Sequence, residues 1–354
     1  MIDAKEMFEI IVGTYEEYII SHRVSSSEGK LSLTRVFASH SHQGSVNALA
    51  ARDQWIASGG ADDRIELIDM ESRTKECSIQ HEDTISALSF TPDGIYLMAG
   101  SKSGNIALLR VSNWKVEKVL SSNSGILSIS IHPSGKLALS VGLDGSVVTW
   151  DLINGKKVHE TNRGSVYDRP GGVAWSPEGS FYAIPVGHTL EIYNISSKST
   201  MISHKHSAKI NCVRFFNEGI VCFGDEEGAL SCLALDTLEI LWQLRPSEVR
   251  VKHICVCKRI RYLAAAFGDG SIKLYDFGKS KDYEKQPKFE VSTSIGARIT
   301  CLVIYEHTSS KNKKMKLDDE LVKKETVFTK TQKRKKAKSV KCFPRSSHWK
   351  VTCS

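Results

Sequence analysis

The chain has 354 residues, 41% of them hydrophobic and 25% charged, the composition of an ordinary folded globular protein. Nine cysteines, an odd number with no C-x-x-C pair, exclude a disulfide framework, and no apolar run reaches 18 residues, which excludes a membrane-spanning helix. The net charge of +8 is unevenly held: residues 307–354 carry 15 Lys/Arg and 4 Asp/Glu (+11), the other 306 carry 33 and 36 (−3), so the body is no nucleic-acid-binding surface by charge alone.

The N-terminal stretch FEIIVGTYEEYII resembles no secretory signal, since Glu16 and Glu17 interrupt it; a cytosolic or nuclear protein without a membrane partner is expected. Alternation predicts three strands here, 8–12, 16–24 and 31–39. A unit then recurs: ADDRIELID (61–69), KSGNIALLR (102–110), GLDGSVVTWDL (142–152), VGHTLEIYN (186–194), EEGALSCLA (226–234) and AFGDGSIKLYDF (266–277). Its aligned positions are Ile68, Leu109, Trp150, Tyr193, Leu233 and Tyr275, at intervals of 41, 41, 43, 40 and 42 residues. About 18 residues before the aligned position stand TPDG (91–94), HPSG (132–135), SPEG (176–179) and FNEG (216–219), each between short apolar runs. Such a turn between alternating runs is a hairpin signal, and the Asp-Gly or Ser-Gly before the aligned strand is a second, where glycine supplies a positive φ. Each unit therefore reads as four antiparallel strands with almost no helix.

Units of this length ending in Trp-Asp or a relaxed version resemble the WD40 repeat of β-propellers. Trp150-Asp151 is the full dipeptide; Tyr275-Asp276 and Ile68-Asp69 are partial, and His42, His81 and His206 stand where the repeat carries its Gly-His. The pairs SHSHQ and SHKHS also invite a metal reading. However, His42 and His206 lie 164 residues apart, four repeats of 41, so the resemblance implies a structural histidine bonded within each blade, with His40 and His204 as loop residues. The resemblance also implies that Asp144 and Asp269, at the second turn, stabilise their blades by hydrogen bonds. Cys212, Cys222 and Cys232, and the pair Cys255 and Cys257 on one strand face, read as buried small hydrophobes rather than metal ligands. Three strands at the N-terminus plus ARITCLVIYE (297–306) make one more blade from both ends of the chain. The expectation is an all-β, seven-bladed propeller over residues 8–306, closed by strands within 8–39 and 297–306.

Enzyme signatures are missing: no G-x-x-x-x-G-K-[ST] loop, no G-x-S-x-G elbow, no H-E-x-x-H helix. GSKSG (100–104) and GDEEG (224–228) fall at hairpin turns with no following helix to hold a phosphate. No enzyme, no cofactor and no metal site are expected; a propeller of this kind is a platform for partners. From His307 the alternation stops, and a lysine-rich, disordered tail over 307–354 is expected. Within it QKRKKAK (332–338) offers Lys333, Arg334, Lys335, Lys336 and Lys338 as a nuclear-localisation signal or an rRNA phosphate contact.

The stretch SIHPSGKLALSVGLDGSVVTWDL (130–152), supported by VAWSPEG (173–179), FGDEE (223–227) and GARITCL (296–302), resembles the p21-activated-kinase-interacting WD-repeat family, also grouped with nucleolar large-subunit assembly factors. That resemblance implies a scaffold in 60S ribosomal subunit assembly in the nucleus and nucleolus, with pre-60S assembly factors as partners, a single copy within larger complexes, and inhibitory binding to p21-activated kinase. The competing expectations are a cytoplasmic adaptor restraining that kinase and a propeller binding a small molecule. The ending CFPRSSHWKVTCS (342–354) departs from the family's lysine-rich tail and reads as a variant or truncated end.

Overall fold

Twenty-nine strands account for the regular structure, and no helix occurs among the residues that the computed structural model describes (5–27, 29–161, 170–195, 201–257, 261–306 and 350–353). They form seven sheets. The first three strands, β1 (Lys5–Thr14), β2 (Tyr18–Ser27) and β3 (Lys30–His40), belong to the closing blade. Blade 1 is β4 (Val46–Arg52), β5 (Trp55–Gly60), β6 (Arg64–Asp69) and β7 (Thr74–Gln80). Blade 2 is β8 (Ile85–Phe90), β9 (Tyr96–Ser101), β10 (Asn105–Arg110) and β11 (Lys115–Ser121). Blade 3 is β12 (Ile126–Ile131), β13 (Leu137–Gly142), β14 (Val147–Asp151) and β15 (Lys156–Thr161). Blade 4 is β16 (Ala174–Trp175), β17 (Phe181–Val186), β18 (Thr189–Asn194) and β19 (Met201–Lys205). Blade 5 is β20 (Ile210–Phe215), β21 (Ile220–Asp225), β22 (Leu230–Ala234) and β23 (Ile240–Leu244). Blade 6 is β24 (Val251–Val256), β25 (Tyr262–Phe267), β26 (Ser271–Asp276) and β27 (Lys288–Ser294), and blade 7 adds β28 (Ile299–Tyr305) to β1, β2 and β3 in the order β28-β1-β2-β3.

The six aligned positions fall on the third strand of six blades, as the 40-residue spacing requires. Turn chemistry follows the sequence: Gly145 (φ 81°) and Gly270 (φ 82°) close the second hairpin of blades 3 and 6, a left-handed conformation that costs glycine little. In blade 1 Asp63 (φ 61°) takes that place without a glycine. Each middle strand is covered by a neighbouring blade on both faces, so β5 and β6 are buried almost continuously, whereas the outer strand β15 is exposed along nearly its whole length. The core is accordingly a ring of inter-blade contacts. Ile65, Leu67 and Ile79 of blade 1 pack with Ile85, Leu97 and Leu109 of blade 2, and Ile11 and Ile19 of blade 7 pack with Val46, Ile56 and Ile68 of blade 1.

Two details hold neighbouring blades in register. In six blades the innermost strand carries a one-residue bulge, at Asn47, Ser86, Leu127, Asn211, Lys252 and Thr300. Four of these side chains donate to the next blade's backbone: Asn47 to Ile85 O (3.3 Å), Ser86 to Ile126 O (2.5 Å), Asn211 to Val251 O (3.2 Å), and Thr300 to Val46 O. Beside the bulge, Gly13, Gly59, Gly100 and Gly224 lie so close to Val46, Ile85, Ile126 and Val251 of the next blade that a Cβ would meet the side chain at 2.3–2.7 Å.

The end of the chain differs from expectation. Lys350–Cys353 form a fifth strand, β29, antiparallel to β7, where an unstructured tail to 354 was expected; residues 307–349 lie outside the described residues. The alternating WKVTC and the free edge of β7 supply the reason.

Candidate interaction surface

The predicted histidines sit at equivalent places but are bonded in three ways. His42, buried, donates from Nδ1 to Asp62 Oδ1 (2.9 Å), so its Nε2 accepts from Ser58 Oγ (2.8 Å). Burial pushes the Asp62 carboxyl up, but hydrogen bonds from His42 and the Gln43 amide outweigh it and hold the group below its ordinary value. His206 donates from Nε2 to Asp225 (3.0 Å) and packs edge-on against Phe223, with ring centroids 5.1 Å apart. His81 accepts at Nδ1 from the Asp83 amide (3.1 Å), within its own connecting loop. His40 and His204 are strand residues, not loop residues: His40 ends β3 and bonds Glu17 (2.8 Å), and His204 pairs with Leu190 in blade 4.

The tryptophan half of the motif is in another blade. Trp150 Nε1 donates to Ser140 Oγ (2.8 Å) in blade 3, while Ser58 in blade 1 serves His42 and the aligned residue there is Ile68. The position of Ser58 and Ser140, two residues past the cross-strand partner of the aligned residue, is Ala265 in blade 6. The Tyr275 hydroxyl therefore has no hydrogen-bond partner, and burial pushes its pKa up. Asp151 accepts from the Ile153 and Asn154 amides (2.9 and 3.1 Å), and Asp276 from the Gly278 amide (2.7 Å) with Arg261 at 2.6 Å, so each caps the turn after its strand. Asp144 and Asp269 accept from the amide and hydroxyl of Ser146 and Ser271. Burial pushes both carboxyls up, and these hydrogen bonds outweigh it, leaving both below their ordinary value.

The thiols are poor ligands and nucleophiles as they stand. Burial pushes Cys212, Cys232 and Cys301 up to about 12, so each is a protonated thiol at neutral pH. Among the described residues no group of three His, Cys, Asp or Glu side chains could hold a metal. Between the first strands of blades 5 and 6, Arg214 of β20 donates to Nε2 of His253 on β24 (3.3 Å), and burial, then the Arg214 charge, holds that imidazole neutral with a pKa of about 3. A cavity of about 410 Å³ is lined by Arg245, Pro246, Ser247 and Glu248, all exposed or half-exposed, which suits no enclosed small molecule.

Antiparallel order places every second-to-third-strand turn and every blade-to-blade connection on one face of the disc. On that face, blade 7 presents Tyr15 and Tyr18, 55% and 40% exposed. The Arg298 guanidinium lies 4.0 Å over the Tyr15 ring and donates to Glu16 (3.0 Å), and Tyr18 packs at a tilt of 43° against His40 with centroids 4.8 Å apart. Exposed Tyr and Arg held by their neighbours have the character of a protein-docking anchor, since little side-chain freedom is left to lose on binding. The motif reading missed this cluster, because neither tyrosine occupies a repeat position. Lys333, Arg334, Lys335, Lys336 and Lys338 lie outside the described residues.

The WD domain, G-beta repeat model matches residues 31–69, 74–108 and 114–151. The solved structure titled "Structure of U3-55K" superposes with a TM-score of 0.65 at 16% identity, covering 73% of this chain and 84% of that one, and supports the fold. "Shk1 kinase-binding protein 15" of Schizosaccharomyces pombe is 26% identical over 92% of both chains. "p21-activated protein kinase-interacting protein 1" of Homo sapiens is 27% identical over 84% of this chain and 77% of that protein. The Danio rerio "p21-activated protein kinase-interacting protein 1-like" is 30% identical over 84% of this chain and 80% of its own length. With seven WD-type blades beneath that identity, the chain belongs to the p21-activated protein kinase-interacting protein 1-like family of WD-repeat proteins.

Proposed function

We propose that this protein is a non-catalytic scaffold acting in 60S ribosomal subunit biogenesis in the nucleolus. In this reading the propeller docks pre-60S assembly factors, and the segment 332–338 serves as nuclear address and rRNA contact. One observation carries the reading: the charge is split between a −3 body and a +11 C-terminal segment, so the body is suited to protein partners and the segment to phosphates. The family resemblance in 130–152 supports the same direction. Replacing Lys333, Arg334, Lys335 and Lys336 with Ala in a fluorescent fusion should reduce nuclear and nucleolar accumulation severalfold and flatten the salt dependence of RNA binding by up to about four phosphate contacts. Equal nucleolar concentration of wild type and variant would remove the address, and an affinity eluate without large-subunit proteins or assembly factors would remove the assembly role.

A second reading rests on the names of the three relatives, each of which carries a kinase. Under it the propeller binds and restrains a p21-activated kinase, and the exposed Tyr15, Tyr18 and Arg298 are the residues to test. Tyr15→Ala with Tyr18→Ala should weaken kinase capture by at least about tenfold if that cluster anchors it. Unchanged capture would move the contact elsewhere.

A further inference from the structure

Every blade ends on an outer strand whose edge is a row of backbone donors and acceptors. Among the described residues β3, β11, β15, β19, β23 and β27 carry no further strand, and β7 alone is covered, by β29. The pairing is Lys350 with Gln80, Val351 with Ile79, Thr352 with Ser78 and Cys353 with Cys77. This register is matched by type. Ile79 and Cys77 are the core-facing residues of β7, 0% and 1% exposed, and they stand opposite the apolar Val351 and Cys353; Gln80 and Ser78 stand opposite Lys350 and Thr352. A slip by one residue toward Glu76 would oppose apolar to polar at all four positions, and a slip toward His81 at three of them.

Two features make the cover exchangeable. It is four residues long, so its ladder is short, and 43 residues separate it from the end of the propeller at Glu306. A strand on so long a tether competes at a modest effective concentration, which a free segment of matching pattern can overcome. We propose that the outer edge of β7 is a strand-addition site for an extended segment of a partner protein with alternating apolar and polar residues, and that the chain's own residues 350–353 occupy it as a displaceable stand-in. Main-chain bonds along β7 would supply the affinity, and apolar residues opposite Ile79 and Cys77 the selectivity. The inference does not rest on the ribosome-assembly reading, since it uses only this edge and its register.

The test uses the full chain as wild type, Thr352→Pro and Thr352→Val, with a fluorescein-labelled peptide of residues 346–354 as the probe. Ile79 and Cys77 turn their backbone groups toward β6, so Ser78 and Gln80 face β29 and the tail's ladder donors are Lys350 and Thr352. Proline at 352 removes one of those donors and leaves the propeller untouched, so an unchanged melting temperature is the folding control. In Thr352→Pro, hydrogen exchange at Ser78 and Gln80 should speed up at least about tenfold and the peptide should bind saturably. Wild type and Thr352→Val should bind it at least about tenfold more weakly, because most sites are already filled. Equal exchange in all three proteins, no binding to Thr352→Pro, or equal binding to all three would each overturn the proposal. So would a concentration-dependent dimer that disappears with Thr352→Pro, since the strand would then be seated on a second copy.

Discussion

Trp150 and Tyr275 occupy the same place in blades 3 and 6, and one side chain on the adjacent strand decides how each is satisfied. The indole N–H of Trp150 ends on Ser140, whereas Tyr275 faces Ala265 and its hydroxyl is buried without a partner. Deleting an acceptor and deleting an unpaired hydroxyl should therefore have opposite signs. Ser140→Ala should cost about 1–3 kcal/mol by leaving a buried donor unmade, and Trp150→Ala about 3–5 kcal/mol by opening a cavity. Tyr275→Phe should be neutral or slightly stabilising. Denaturant unfolding of the three variants decides the point, and a Tyr275→Phe protein as weakened as Ser140→Ala would show that the hydroxyl is bonded after all. The same reasoning explains the histidines. Their places were legible from the 164-residue spacing. Their bonds were not, because Ser58, Phe223 and Asp225 come from other strands and Asp62 from a turn, and no single repeat holds the full set.

At the level of strands, the local signals translated directly: alternation marked the strands, and Pro-x-Gly and Asp-Gly marked the turns. What stayed hidden was contact between blades. Asn47, Ser86, Asn211 and Thr300 are unremarkable polar residues until the bulge turns each toward the next blade's carbonyl. Gly59 and Gly100 look like flexible strand ends, yet they are close-approach positions. The strand β29 was hidden for the opposite reason: four residues of alternation weigh little beside the charge that precedes them. A Cβ at Gly59 would lie 2.3 Å from Ile85 Cγ2, in a site sealed on both sides. Gly59→Ala should therefore destabilise by about 1–3 kcal/mol through overpacking. Ile85→Ala alone should cost about 2–5 kcal/mol, but Gly59→Ala added to it should cost less than in the wild type, because the 2.3 Å contact with Cγ2 is gone and the 2.9 Å contact with the Cβ of residue 85 remains to be relieved. A double-mutant cycle measures that coupling; strictly additive values would mean that Gly59 is not held by contact with the next blade.

For the whole ring, the decisive seam is where the two ends of the chain share a sheet. There β1 lies between β28 and β2, and the Glu9 carboxylate is completely buried beside blade 1. Glu9 accepts from Ser21 (2.6 Å) and Arg23 (3.4 Å) in its own blade and from Arg73 Nη2 (2.5 Å) across the seam, and the Arg73 guanidinium also sits 5.9 Å from the Phe37 ring. A buried charge that loses its cross-seam partner keeps its desolvation penalty, so Arg73→Met should cost about 3 kcal/mol. Replacing both partners removes the buried charge as well as the bond. Glu9→Leu with Arg73→Met should therefore be closer to wild type than Arg73→Met alone, and hydrogen exchange in β1–β3 should follow the same order. The extreme case is removal of residues 1–40. That leaves β28 without β1, uncovers Ile56, Ile68 and Tyr305, and opens two sheet edges, so the product should aggregate or melt far below the intact protein. A soluble monomer with an unchanged melt would make the N-terminal strands an appendage, and a double variant weaker than Arg73→Met would make the Glu9 charge a net stabiliser of the seam.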